Sequence, residues 1–68
     1  MNQLTSTIYW ARDIAAAVVR EMPGATFSER CDEAYKRSNE KIHRSLLRRL
    51  VRAAEWDAKL LTAHKGTA

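Results

Sequence analysis

Apolar positions near the start of the chain follow a helical period. They recur every three or four residues at Leu4, Ile8, Ala11, Ala15, Val18 and Met22. Side chains with this spacing lie on one face of an α-helix. Trp10 and Ile14 widen the face on one side, beyond the width that one neighbouring helix needs. The pattern predicts an amphipathic helix 1 over residues 3–22.

A turn signal follows over residues 23–26. Pro23 cannot continue the helical hydrogen bonds, and Gly24 gives the backbone the freedom that a turn requires. Thr26 and Glu29 have the spacing of a capping box, in which each side chain accepts a hydrogen bond from the other residue's backbone N–H. Because the link is so short, we expect helix 1 and the next helix to form an antiparallel hairpin.

The polar and apolar pattern after Thr26 predicts a long helix 2 over residues 27–64. Its first half carries a narrow apolar stripe of Phe27, Cys31, Ala34, Tyr35, Ser38 and Ile42. Acid-to-base pairs four residues apart, such as Glu40 with Arg44, favour a helix that continues. Neither Gly nor Pro interrupts this range. The alternative is a break near Asn39, which would give a three-helix bundle.

The apolar face of helix 2 widens after Ile42. One stripe contains Ile42, Leu46, Leu50, Ala53, Trp56 and Leu60, and a second contains Leu47, Leu50, Val51, Ala54, Ala58 and Leu61. Together they span about 220°, where one neighbour needs little more than 100°. Helix 1 would reach only about 30 Å along a helix 2 of more than 55 Å. The sequence therefore predicts an all-α hairpin that dimerises into a four-helix-like assembly.

Two polar residues in the widened face suggest how two copies would pair. His43 and Asp57 lie equally far from Leu50, so an antiparallel two-fold contact would set each against the other. The predicted dimer interface is Ile42, His43, Leu46, Leu47, Leu50, Val51, Ala53, Ala54, Asp57 and Leu61. In this register Leu46 faces Ala54 and Leu47 faces Ala53 of the second copy. The alternative is that His43 and Asp57 stand at the edges of a solvated face.

Length and composition limit the class of protein. The 68 residues form one domain (1–68), and a chain of this size buries only about 60% of its unfolded surface, so it often needs an oligomer. Cys31 is the only cysteine, which excludes an internal disulfide and is typical of the reducing cytoplasm. The longest apolar run, Ile14 to Val19, is too short to span a membrane, and the N-terminus lacks a signal-peptide pattern.

The sequence carries little catalytic or metal-binding chemistry. Cys31, His43 and His64 are spread along the predicted helix 2 and would not meet in one chain. We find no Gly-rich phosphate loop and no nucleophile elbow. The prediction is a protein that is not an enzyme, holds no metal or cofactor and takes no small-molecule substrate.

The basic charge lies in the second half of the chain. The net charge is +4; residues 1–40 have five basic and six acidic side chains, and residues 41–68 have seven and two. A nucleic-acid interface would use Arg44, Arg48, Arg49 and Arg52. With a break at Asn39, residues 40–64 would resemble the second helix of a helix-turn-helix. The alternative interpretation of the arginine row is a solvated, solubilising face.

The aromatic residues favour contacts with protein. Trp, Tyr and Arg are enriched at interface hot spots, and the predicted partner-binding set is Tyr9, Trp10, Ile14, Trp56, Arg48 and Arg52. The leading interpretation is a cytoplasmic interaction module, an accessory regulator or inhibitor of a protein target. Compact chains of this kind are common in phages and mobile elements. The second interpretation is a small basic nucleic-acid-binding protein.

Overall fold

The chain folds into three α-helices in a computed structural model, which describes the backbone of residues 3–66 and the side chains of residues 6–60. The helices are α1 (Gln3–Glu21), α2 (Phe27–Arg37) and α3 (Arg44–Gly66). The described backbone contains no strand, so the all-α prediction is confirmed. α3 packs against both α1 and α2.

The corner between α1 and α2 has the predicted local structure. α1 ends at Glu21, just before Pro23. The backbone N–H of Glu29 donates to Thr26 Oγ1 at 3.1 Å, and the N–H of Thr26 donates to Glu29 Oε1 at 2.8 Å. This reciprocal pair is the capping box, which satisfies backbone donors that the start of α2 would otherwise leave free.

The prediction of one unbroken helix over residues 27–64 is wrong, and the three-helix alternative fits the structure. α2 ends at Arg37, and Asn39 and Glu40 both adopt the left-handed conformation, with φ of 57° and 61°. Their N–H groups donate to the carbonyls of Lys36 and Tyr35 at 3.0 and 3.1 Å. This is the Schellman arrangement, which satisfies the last carbonyls of a helix. Asn tolerates the left-handed region better than most residues, so the chain turns without a glycine.

The start of α3 is capped by a histidine. The N–H of Ser45 donates to His43 Nδ1 at 3.2 Å, and the Ser45 hydroxyl lies 2.7 Å from the same nitrogen. The N–H of Leu47 makes the first helical hydrogen bond, to the carbonyl of His43, at 3.2 Å. His43 therefore occupies the N-cap position, where a side-chain acceptor satisfies a free N–H of the first turn.

The core is formed where the three helices meet. Its buried apolar residues are Ala11, Ile14, Ala15 and Val18 of α1, Cys31 and Ala34 of α2, Ile42 just before α3, and Leu47 and Val51 of α3. Because the turn at residues 38–43 folds α3 back across α1 and α2, the chain covers part of the wide apolar face itself. The expectation that helix 1 could not reach this face is therefore wrong.

α2 and α3 run antiparallel, as two ring contacts show. The Arg44 guanidinium lies 4.2 Å from the centre of the Tyr35 ring, and that of Arg52 lies 4.3 Å from the centre of the Phe27 ring. Tyr35, near the end of α2, thus contacts Arg44 at the start of α3, and Phe27, at the start of α2, contacts Arg52 further along α3. This direction places the arginine row of α3 along the side of α2.

Candidate interaction site

The predicted dimer interface is divided between the core and the surface. Ile42, Leu47 and Val51 are buried within the chain itself. Leu46, Leu50 and Ala54 are half-buried, whereas His43, Ala53 and Asp57 are exposed; the Leu61 side chain lies outside the described residues. A contact that uses Leu47 against Ala53 of a second copy would require the core to open. The predicted pairing of Leu47 with Ala53 is therefore incompatible with this fold, in which Leu47 is buried.

Four members of this set, Leu50, Ala53, Ala54 and Asp57, line a groove between α1 and α3. The groove has a volume of about 390 Å³ and is lined by Tyr9, Arg12, Asp13, Ala16, Leu50, Ala53, Ala54 and Asp57. Its floor is made of small and half-buried side chains, and both signs of charge stand on its rim. Three alanines leave room for a close approach, so a further helix or side chain could enter it.

A second surface lies on the side of α3 that faces away from the core. We call it the outer face of α3; its residues are Arg49, Ala53, Trp56, Lys59 and Leu60, all exposed. At 100° per residue, Trp56 lies about 180° from the buried Leu47. Trp56 and Leu60 keep 60% and 51% of their surface accessible. The chain thus covers Leu47 and Val51 of one predicted stripe, whereas Ala53, Trp56 and Leu60 of the other stripe are exposed.

α1 carries three consecutive exposed apolar side chains near its start, which point in different directions around the helix axis. Ile8, Tyr9 and Trp10 are exposed. Ile14 is buried in the core, so its predicted role in binding a partner is wrong for this structure. The sequence set omitted Leu60 and Ile8; the spacing of four residues between Trp56 and Leu60 was the signal that could have identified Leu60.

Three of the four arginines of α3, namely Arg44, Arg48 and Arg52, lie over or near aromatic rings of α2. Arg44 lies over Tyr35 and also pairs with Asp32 at 3.0 Å. Arg52 lies over Phe27, and Arg48 lies 6.0 Å from the centre of the same ring. A guanidinium over an aromatic face is attracted by the ring quadrupole. Arg44, Arg48 and Arg52 therefore help to hold α3 on α2, while Arg49 is on the outer face.

A small cavity lies beneath this row. It measures about 210 Å³ and is lined by Phe27, Ser28, Cys31, Asp32, Arg44 and Arg48. This volume is below the range of about 300–1,000 Å³ that is usual for ligand pockets. Burial raises the pKa of the Cys31 thiol, and the nearby Glu55 and Asp32 carboxylates add to this effect, while Arg48 and Arg52 oppose it. Cys31 is thus held as a neutral thiol at neutral pH.

Two further properties concern metals and membranes. Among the described residues, no three His, Cys, Asp or Glu side chains come together as metal ligands would. His43 caps α3, and the side chain of His64 lies outside the described residues. No helix among the described residues combines the length and the apolar character needed to cross a bilayer.

Comparison with known proteins found no matching family model, curated protein or solved structure.

Proposed function

We propose that this protein is a small interaction module that binds a protein target in a fixed ratio and acts as an accessory regulator or inhibitor in the cytoplasm. The observation that carries the proposal is the exposure of large apolar side chains at Ile8, Tyr9, Trp10, Trp56 and Leu60. A buried tryptophan removes roughly 150–250 Å² from water. Trp10 and Trp56 keep 41% and 60% of their surface accessible, so a protein partner that covers them buries about half of this area for each.

The position of Trp56 supports binding rather than a structural role. A ring that points away from Leu47 makes little contribution to the core, whereas a Trp in the centre of an interface often dominates its binding energy. Arg49 and Lys59 give the surface a charged rim, as interfaces commonly have.

The direct test places a photo-crosslinking benzoylphenylalanine at position 56 and exposes the protein to nuclease-treated extract of its host. We expect one discrete protein adduct in a defined ratio. The matched control places the same group at Lys36, an exposed residue of α2. A signal that is equal at both positions, or that disappears on nuclease treatment, would contradict the proposal.

The proposal includes self-association through the groove between α1 and α3. With Ile42, Leu47 and Val51 buried, the contact would use the residues of the predicted interface that line the groove: Leu50, Ala53, Ala54 and Asp57. Sedimentation should give about twice the 7.8 kDa mass of the chain. Ala53→Glu should restore the single chain while Lys36→Glu should not. A wild-type particle of 7.8 kDa at high concentration would rule out the dimer.

Nucleic-acid binding is the second candidate, because four arginines of α3 are exposed. Its basic residues would be Arg44, Arg48, Arg49 and Arg52. A protein that neutralises phosphates loses affinity steeply with salt. Replacing the four arginines by alanine should then abolish binding to duplex DNA at low salt. Retention of binding by that variant would exclude the row as the site.

A further inference from the structure

The outer face of α3 has an apolar centre and basic surroundings. Trp56, Leu60 and Ala53 form the centre, with Leu60 one turn after Trp56 and Ala53 one turn before it. Arg49 and Lys59 lie within about 60° of Trp56 around the helix axis. From Arg49 to Leu60 the face is about 16 Å long. This is three helical turns, a length that a partner helix can follow.

The two carboxylates in the described part of α3 lie at the edges of this face, and Glu55 borders a shallow depression with Arg52, Trp56 and Lys59. Glu55 pairs with Arg30 of α2 at 2.6 Å, and Asp57 lines the groove with α1. No Asp or Glu lies within about 60° of Trp56 in the described part of α3. Among the side chains that the structure describes, neither Arg49 nor Lys59 makes an ion pair. Their charges are therefore available to a partner.

We infer that the outer face of α3 docks an acidic amphipathic helix, with apolar side chains against Trp56 and Leu60 and carboxylates against Arg49 and Lys59. This inference rests on the proposed function and specifies the chemistry of the target. Electrostatic complementarity speeds encounter and selects among partners. Burial of Trp56 supplies the apolar contact area.

Three other occupants fit the observations less well. A second copy would bring the same basic face against itself, and like charges repel. Nucleic acid would find Arg44, Arg48 and Arg52 engaged with the rings of α2, so few cations remain for phosphates. An anionic membrane would gain only two large apolar side chains from this face, and membrane binding scales with the apolar area that is buried.

The test uses Trp56 as its own reporter. Trp10→Phe leaves Trp56 as the only tryptophan of the 68-residue chain. It is titrated with a helical peptide that carries leucines on one face and glutamates elsewhere. The comparison probes are the same peptide with lysine for glutamate, a random-sequence DNA duplex and phosphatidylglycerol vesicles. We expect a saturable blue shift of Trp56 emission with the acidic peptide at concentrations below about 1 mM, and weaker binding of the other three.

Variants locate the site and its charge dependence. In the Trp10→Phe background, Arg49→Glu with Lys59→Glu should weaken binding of the acidic peptide by about tenfold or more. Lys36→Glu, which changes an exposed residue of α2, should leave the affinity within about twofold. Leu60→Ala should weaken binding with little change in folding, because Leu60 lies outside the core. Circular dichroism verifies the fold of each variant.

Each result has a distinct meaning. Equal or tighter binding of the lysine peptide, the duplex or the vesicles would overturn the inference, as would no shift with the acidic peptide up to about 1 mM. An equal effect of Lys36→Glu would place the contact elsewhere and also overturn it. If position 56 still crosslinks to a host protein, the proposed function survives these failures. If no host protein crosslinks but the acidic peptide binds as described, the chemistry of the face stands and the regulatory role does not.

Discussion

Arg30 and Glu55 form an ion pair that joins α2 to α3, with 2.6 Å between Arg30 Nη1 and Glu55 Oε2. Their side chains are only 14% and 23% exposed. Arg30 also donates from Nε to the carbonyl of Met22 at 3.0 Å and from Nη2 to that of Pro23 at 2.9 Å. The guanidinium of this α2 residue therefore binds the chain just after α1 and the middle of α3.

Removal of the carboxylate should destabilise the fold. Glu55→Gln leaves the largely buried Arg30 without its anion, and we expect a loss of about 2 kcal/mol in the free energy of unfolding. Urea unfolding followed by circular dichroism measures it. The control is Glu21→Gln, which removes a more exposed ion pair with Arg37 and should have little effect, since exposed pairs contribute little. Equal effects of the two changes would contradict the role assigned to Glu55.

The turn between α2 and α3 should be improved by glycine. Glu40 has φ of 61°, a conformation that costs a non-glycine residue roughly 1–2 kcal/mol. Glu40→Gly should raise the free energy of unfolding by about 1 kcal/mol once the added freedom of the unfolded chain is included. Urea unfolding measures the change. If residues 27–64 formed one continuous helix, the same substitution would destabilise it by a similar amount, so the sign of the change decides between the two folds.

His43 should be replaceable by residues that can cap a helix. Its ring accepts the N–H of Ser45 at the start of α3. We expect His43→Ala to cost about 1 kcal/mol in thermal or urea unfolding, and His43→Asp to retain most of the stability. Lys41→Ala, in the same turn, is the control. If the alanine variant were as stable as wild type, the ring would not contribute as a cap.

Because of the Cys31 thiol, the free energy of unfolding should decrease at alkaline pH. Burial raises its pKa in the folded state, so folding favours the neutral thiol. This contribution is complete below the unfolded-state thiol pKa of about 8.5 and is lost as the pH rises from there through the folded-state pKa. Between pH 7 and 10, wild type should therefore lose more stability than Cys31→Ala. Parallel urea curves of the two proteins over this range would contradict the prediction.

Reactivity gives a second measurement on the same residue. A neutral, buried thiol is a weak nucleophile. Iodoacetamide at pH 8 should modify Cys31 much more slowly in the folded protein than in guanidinium chloride. Labelling at equal rates under both conditions would show that the thiol is accessible and ionised in the folded chain.

The turns show where local sequence was sufficient and where it was not. Thr26 and Glu29 predict their capping box because both partners lie within three residues of each other. At Asn39 and Glu40 the local sequence was less decisive. The pair Glu40 and Arg44 favours a continuous helix, but by only a few tenths of a kcal/mol. In the structure Arg44 pairs with Asp32 instead. The contact of α3 with α2 and α1 outweighs that local preference.

The sequence by itself determined the helical periods, the first turn with its cap and the presence of two apolar stripes after Ile42. Tertiary structure alone decided that Leu47 and Val51 are covered by the chain while Trp56 and Leu60 are not, and that the arginine row lies over Phe27 and Tyr35. Periodicity defines which residues share a face of a helix, but it does not define the neighbour of that face. The neighbour depends on the direction in which α3 leaves the turn at residues 38–43, and that direction is set by packing between residues distant in the sequence.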